Sequence, residues 1–101
     1  MKTTEKRELD AWIAFNVTKE TSELITIRTP DISFIPHYTT DPAAAMEVLK
    51  KCVQRCELQT GFNDENNCYY MTTHHDGKLV DVEAATFEIA ICRAAKELFT
   101  K

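Results

Sequence analysis

The residue types able to do chemistry in this chain fall into three groups. The stretch His74-His75-Asp76-Gly77 sets two imidazoles beside a carboxylate, the makings of a metal site or of a general base. Cys52 and Cys56 stand four apart, which on a helix puts both thiols on one face, where they could offer two ligands to zinc with His37, Cys68 or Cys92 completing the set. Asp81, Glu83 and Glu88 supply the carboxylates for an acid–base pair. Each group also has a reading without chemistry. Asp-Gly is a preferred hairpin turn, Cys behaves as a small apolar side chain, and strand alternation or a helix N-terminus accounts for all three acids.

The elements that must position these residues decide between the readings. "CYYMTTHH" and "KLVDVEAA" flank Asp76-Gly77 and predict a hairpin in which His75 pairs with Lys78, Thr73 with Val80 and Met71 with Val82. Tyr69, Met71, Val80 and Val82 then share one sheet face, and Cys68, Tyr70, Thr72, His74, Leu79, Asp81 and Glu83 the other. His74 and His75 point to opposite faces, so they cannot chelate one ion together. The tip is read as a turn, not an active site. "DPAAAMEVLKKCVQRC" predicts a helix with Asp41 as N-cap and Pro42 at the first position, and an apolar stripe of Ala45, Met46, Leu49, Cys52, Val53 and Cys56. In that stripe the two cysteines are ordinary core members, and nothing nearby depresses a thiol pKa.

A first helix is predicted over Glu5–Val17, capped by Thr3 or Thr4, with Leu9, Trp12, Ile13 and Asn16 or Val17 on the inner face and Lys6, Arg7 and Asp10 toward solvent. Trp12 is read as a core anchor. "SELITIRT" and "ISFIPHYT" predict two short strands closed by proline-containing breaks, the second confined to an edge by Pro36. "ELQTGFNDENN" reads as a polar connection. "TFEIAICRAAKELFTK" predicts a last helix capped by Thr86, apolar over so wide a face that it must press against a sheet. Helix, strands, helix, hairpin, helix make an α+β domain spanning 1–101, with the second sheet face carrying Tyr70 and Leu79.

Composition narrows the function classes. With 101 residues, 44% hydrophobic and 28% charged, the chain is an ordinary single globular domain. A net charge of −4 argues against a direct grip on nucleic acid, which normally shows a basic patch. The opening "MKTTEKRELDAW" is not a signal peptide, and no apolar run approaches the ~20 residues of a membrane span. The four cysteines are therefore expected reduced, in a cytoplasm. There is no glycine-rich phosphate loop, no nucleophile elbow and no His-Glu-x-x-His helix.

Three blocks resemble a known family. Arg7-Glu8-Leu9-Asp10-Ala11, the run from Tyr38 to Ala45 and the Ala90–Ala95 segment, in that order, are similar to blocks of the phage ABA sandwich domain family, with Thr39 where serine is common. The resemblance covers less than half of the chain and implies a three-layer α/β/α sandwich working in a bacterial host cytoplasm. It implies no activity, because the family carries no agreed enzymatic role and no catalytic residues. The segments between the blocks, Thr18 to Ile35 and "NDENNCYYMTTHHDG", depart from it, and variable segments on a fixed scaffold are where a partner surface is expected.

The resulting expectation is a non-enzymatic phage or prophage protein, without cofactor or metal, that binds a host protein and acts as a counter-defence inhibitor such as an anti-CRISPR. Tyr70, Thr72, His74 and His75 are the expected contact residues, since aromatics beside polar groups are common at interfaces. One alternative is a homo-oligomer that sequesters a small immune signalling nucleotide. The other is a metal-binding protein or enzyme using Cys52 and Cys56.

Overall fold

A computed structural model describes residues 2–18, 35–75 and 77–100. Along them run α1 (Thr3–Asn16), α2 (Pro42–Arg55), β1 (Gln59–Asn63), β2 (Cys68–His75), β3 (Lys78–Ala84) and α3 (Phe87–Phe99). The three strands form one antiparallel sheet in the order β1-β2-β3, and three helices pack with it into an α+β fold.

The hairpin follows from its turn chemistry. His75 pairs with Lys78, Thr73 with Val80 and Met71 with Val82, the register expected when two residues close the turn. Gly77 takes φ +76°, the left-handed conformation such a turn demands and glycine adopts without strain. Met71, Thr73, Val80 and Ala84 are buried on one face, whereas Leu79, Asp81, Glu83 and His74 on the other are exposed.

α3 is the hub. It packs on β2 and β3 and against both α1 and α2, which accounts for the burial of Ile89, Ala90, Ile91, Cys92, Ala94, Ala95 and Leu98. The Thr86 hydroxyl accepts from the Ile89 N–H at 3.3 Å and starts it, as expected. Rings of Phe62, Tyr69 and Phe87 meet edge to face at 5.0 and 5.8 Å, tying β1 and β2 to the start of this helix.

Four expectations are corrected. α1 begins at Thr3 with Lys2 at the cap position, so neither threonine caps it; the Glu5 carboxylate instead accepts the Lys2 backbone N–H at 3.3 Å. Asp10 and Arg7 do not face solvent: Asp10 is fully buried and the Arg7 side chain is 16% exposed. α2 is rotated about its axis relative to the expected stripe. Ala45, Val48 and Cys52 are its buried line, while Met46 and Val53 lie a quarter-turn away and remain 44% and 53% exposed. The polar connection after α2 contains a strand, β1, whose side chains are mostly exposed and so carry no alternating apolar signal.

Of the two strands expected between α1 and α2, the part over 19–34 lies outside the described residues. The described remainder, 35–39, is an irregular turn-forming segment. Its backbone is spent elsewhere. Arg7 donates through Nη2 to the Ile35 carbonyl at 2.9 Å and through Nη1 to Pro36 at 3.4 Å, and Asp10 Oδ1 accepts the Thr39 N–H at 2.8 Å. Arg7 Nη1 and Asp10 Oδ2 are 2.7 Å apart, and the Tyr38 hydroxyl meets Thr18 Oγ1 at 2.9 Å. Asp41 then caps α2 through the Ala43 N–H at 3.0 Å, with Pro42 at the first helical position.

Candidate functional site

The expected contact face is formed by alternation along β2 and β3. Tyr70, Thr72 and His74 project to the side away from α3, opposite Glu83, Asp81 and Leu79 on the neighbouring strand. Tyr70 is held there by a gap in β1. Gly61 pairs with it, and a Cβ at Gly61 would lie 2.7 Å from the Tyr70 hydroxyl and 2.9 Å from its ring carbons, so the ring lies across the glycine backbone. The ring is half-buried as a result. Further along the face Leu79, 56% exposed, stands opposite His74, so the surface mixes apolar and polar groups. His75, half-buried at the turn, belongs to the opposite face, so the structure brings together Tyr70, Thr72 and His74 but not His75.

The thiols are placed as core and edge groups. Cys52 is fully buried, and burial, reinforced by Cys56 and opposed by Arg55, pushes its thiol up to about 12. Burial also raises the Cys92 thiol, with Asp10, Cys52 and Glu88 adding to the effect. The Cys68 thiol donates to Glu83 Oε2 at 3.2 Å, and that hydrogen bond is the main cause of its upward shift. Cys56 donates to the Cys52 carbonyl at 3.7 Å. At Cys52, Cys68 and Cys92 the surroundings favour the thiol over the thiolate. Among the described residues no three His, Cys, Asp or Glu side chains converge as metal ligands. Asp81 and Glu83 are exposed on the outer sheet face and Glu88 sits in the first turn of α3, so they form no common acid–base pair.

A second surface was not visible in the sequence. α1, β3 and α3 enclose a cleft of about 680 Å³. Trp12 and Leu9 form its α1 wall, and Trp12, expected inside the core, is half-buried there and packs against the core from its edge. The Lys96 ammonium stands over the Trp12 ring, 5.9 Å from its centroid. β3 contributes Asp81, Val82 and Glu83, and Arg93 of α3 donates to the Glu83 carbonyl at 2.9 Å. The rim is acidic: Glu5 and Glu8 from α1 join Glu97, which pairs with Lys78 at 3.5 Å. The signal that marked this site was the alternation of Glu5, Glu8 and Trp12 on one side of α1, masked because Trp12 also fits the core stripe.

Comparison with known proteins adds a relation of fold. No protein-family model matches the chain, and no curated protein does. The chain superposes on the crystal structure of a phage protein from Bacillus cereus with a TM-score of 0.71 at 22% identity, over 96% of this chain and 86% of that one. The likeness is one of fold. It agrees with the α+β architecture built above. Those blocks are now seen as structural: Arg7 and Asp10 of the first bind the backbone of Ile35, Pro36 and Thr39 leading into and opening the second, and Ala90–Ala95 of the third is the buried side of α3. Among the described residues no helix is long and apolar enough to cross a membrane.

Proposed function

We propose that this is a small phage- or prophage-encoded binding protein that acts on a host protein in the bacterial cytoplasm, in its most concrete form a counter-defence inhibitor of an immunity complex such as a CRISPR effector. The observation that carries the reading is the outer face of β2 and β3, where Tyr70 is fixed over Gly61 and, further along the same face, Leu79 and His74 are exposed opposite one another. A rigid aromatic with a polar tip loses little entropy on docking, which is why tyrosine is frequent among residues that dominate interfaces. The fold shared with a phage protein supports the phage assignment. Action by contact and not by turnover is supported by the protonated, buried thiols and by histidines that diverge. The acidic rim of the cleft between α1, β3 and α3 repels phosphate, which weighs against the nucleotide-sequestering alternative.

The test is affinity capture from defence-carrying host cells, followed by binding measurements on the purified partner with Tyr70→Ala and His74→Ala variants. Truncating a central interface tyrosine costs about 2 kcal/mol, or roughly 30-fold in Kd. Full-strength binding by both variants removes this face from the account, and no specific partner across a panel of such hosts removes the function.

A further inference from the structure

Among the described residues β3 is the edge strand of the sheet, with β2 on one side only. The two-residue turn makes His75–Lys78 a hydrogen-bonded pair, and alternation then turns the backbone groups of Lys78, Val80, Val82 and Ala84 toward β2. Those of Leu79, Asp81 and Glu83 point outward. The contact from Arg93 to the Glu83 carbonyl follows that parity. The Asp81 N–H and C=O thus open into the cleft whose far wall is Trp12 and Leu9.

Such an edge templates strand addition unless something blunts it. Charge decides the occupant. With Glu97 matched by Lys78, the remaining Glu5, Glu8, Asp81 and Glu83 outweigh Arg93 and Lys96 around the groove. A second copy pairing antiparallel about Asp81 would set that carboxylate against its own image, an unfavourable cross-strand pair. We infer that the β3 edge and the α1 wall together take an extended, lysine- or arginine-bearing peptide segment of a partner protein. Its backbone pairs with the N–H and C=O of Asp81 and with the Glu83 N–H, the Glu83 carbonyl being held by Arg93; one apolar side chain rests against Trp12, and its cations meet Glu5 and Glu8. The inference deepens the reading of the protein as a binder of a host protein and rests on it.

The probe is a blocked hexapeptide of alternating lysine and valine, titrated into the isotope-labelled full chain, with the glutamate–valine peptide as control. Saturable shifts of the Asp81 and Glu83 amides and of the Trp12 indole N–H, given by the basic peptide alone, are expected. Glu5→Gln with Glu8→Gln weakens the binding by about fivefold, the worth of two exposed ion pairs. Asp81→Pro abolishes it by deleting an outward donor that β2 does not use. If that variant does not fold, the double glutamine variant still decides the matter. Equal response to the acidic peptide, shifts centred on Tyr70 and His74, or concentration-dependent shifts of the β3 amides without peptide each overturn the inference. Capture of a host protein that depends on Tyr70 but is indifferent to the β3 edge would leave the general function standing and this inference refuted.

Discussion

Replacing Asp10 tests the structural core of the protein. Its carboxylate is fully buried, lies 2.7 Å from Arg7 Nη1 and accepts the Thr39 N–H at 2.8 Å. Asp10→Ala takes from a guanidinium that is only 16% exposed the carboxylate 2.7 Å away, and leaves Thr39 without that acceptor. Breaking a buried pair from one side costs about 3–5 kcal/mol, and an unsatisfied buried amide about 1–3 kcal/mol. Arg7 keeps the Ile35 and Pro36 carbonyls, so the lower end applies and a total of about 3 kcal/mol is expected. Trp12, the single tryptophan, lies on the same helix and reports unfolding by fluorescence. In urea the midpoint falls while the slope stays constant, and Tm drops by roughly 15 °C. Asp10→Asn, which retains an acceptor for Thr39, loses less. Glu8→Ala, exposed on the same helix, changes stability by under about 0.5 kcal/mol. A loss below about 1 kcal/mol in Asp10→Ala would refute the claim that this pair anchors the 35–39 segment.

The rotation of α2 predicts that Val48→Ala costs about 2 kcal/mol, from two buried methyl groups and the cavity they leave, while Met46→Ser and Val53→Ser stay within about 0.5 kcal/mol. The same urea series ranks them, and equal losses at all three positions would restore the wider stripe. Cys52, raised in the fold from 9.0 to about 12, stabilises the protein fully below pH 9 and loses that contribution as pH rises toward 12. Three pKa units correspond to an upper bound of about 4 kcal/mol. Urea unfolding of the wild type and Cys52→Val from pH 8 upward measures the difference, and parallel curves would contradict a protonated, buried thiol. In the same samples a thiol reagent at neutral pH labels Cys56 and Cys68 well before Cys52 and Cys92.

What was legible in the sequence follows the strength of each local signal. The β2–β3 register was fixed by Asp-Gly and by strict alternation, and α2 and α3 by Asp41-Pro42 and Thr86 at their starts. Where the signal was ambiguous, tertiary context decided. Met46 and Val53 are spaced a helical heptad apart and belong to an apolar face on any wheel, but only contact with α3 selects which side of that face is buried. Asp10 and Arg7 look like solvent-facing charges because pairing and backbone hydrogen bonds, the conditions under which charge can be buried, are long-range facts. β1 carries Gly61 and polar neighbours, so its only message was Phe62, whose partner Tyr69 lies seven residues on.

The three recognisable blocks turn out to be the parts that hold the scaffold shut. Arg7 and Asp10 bind the 35–39 backbone, Asp41 starts α2, and the Ala90–Ala95 face of α3 admits helices on one side and a sheet on the other because its side chains are small. Residues committed in this way are not available to a partner. The surfaces that are available, the Tyr70–His74 face and the β3 edge, are built from the stretch between the second and third blocks, with α1 lending the outward side of its own block through Glu8. Recognition by such blocks therefore identifies a frame and is silent on the target. On the exposed part of that stretch a change such as His74→Ala leaves the core intact and alters only what the surface presents.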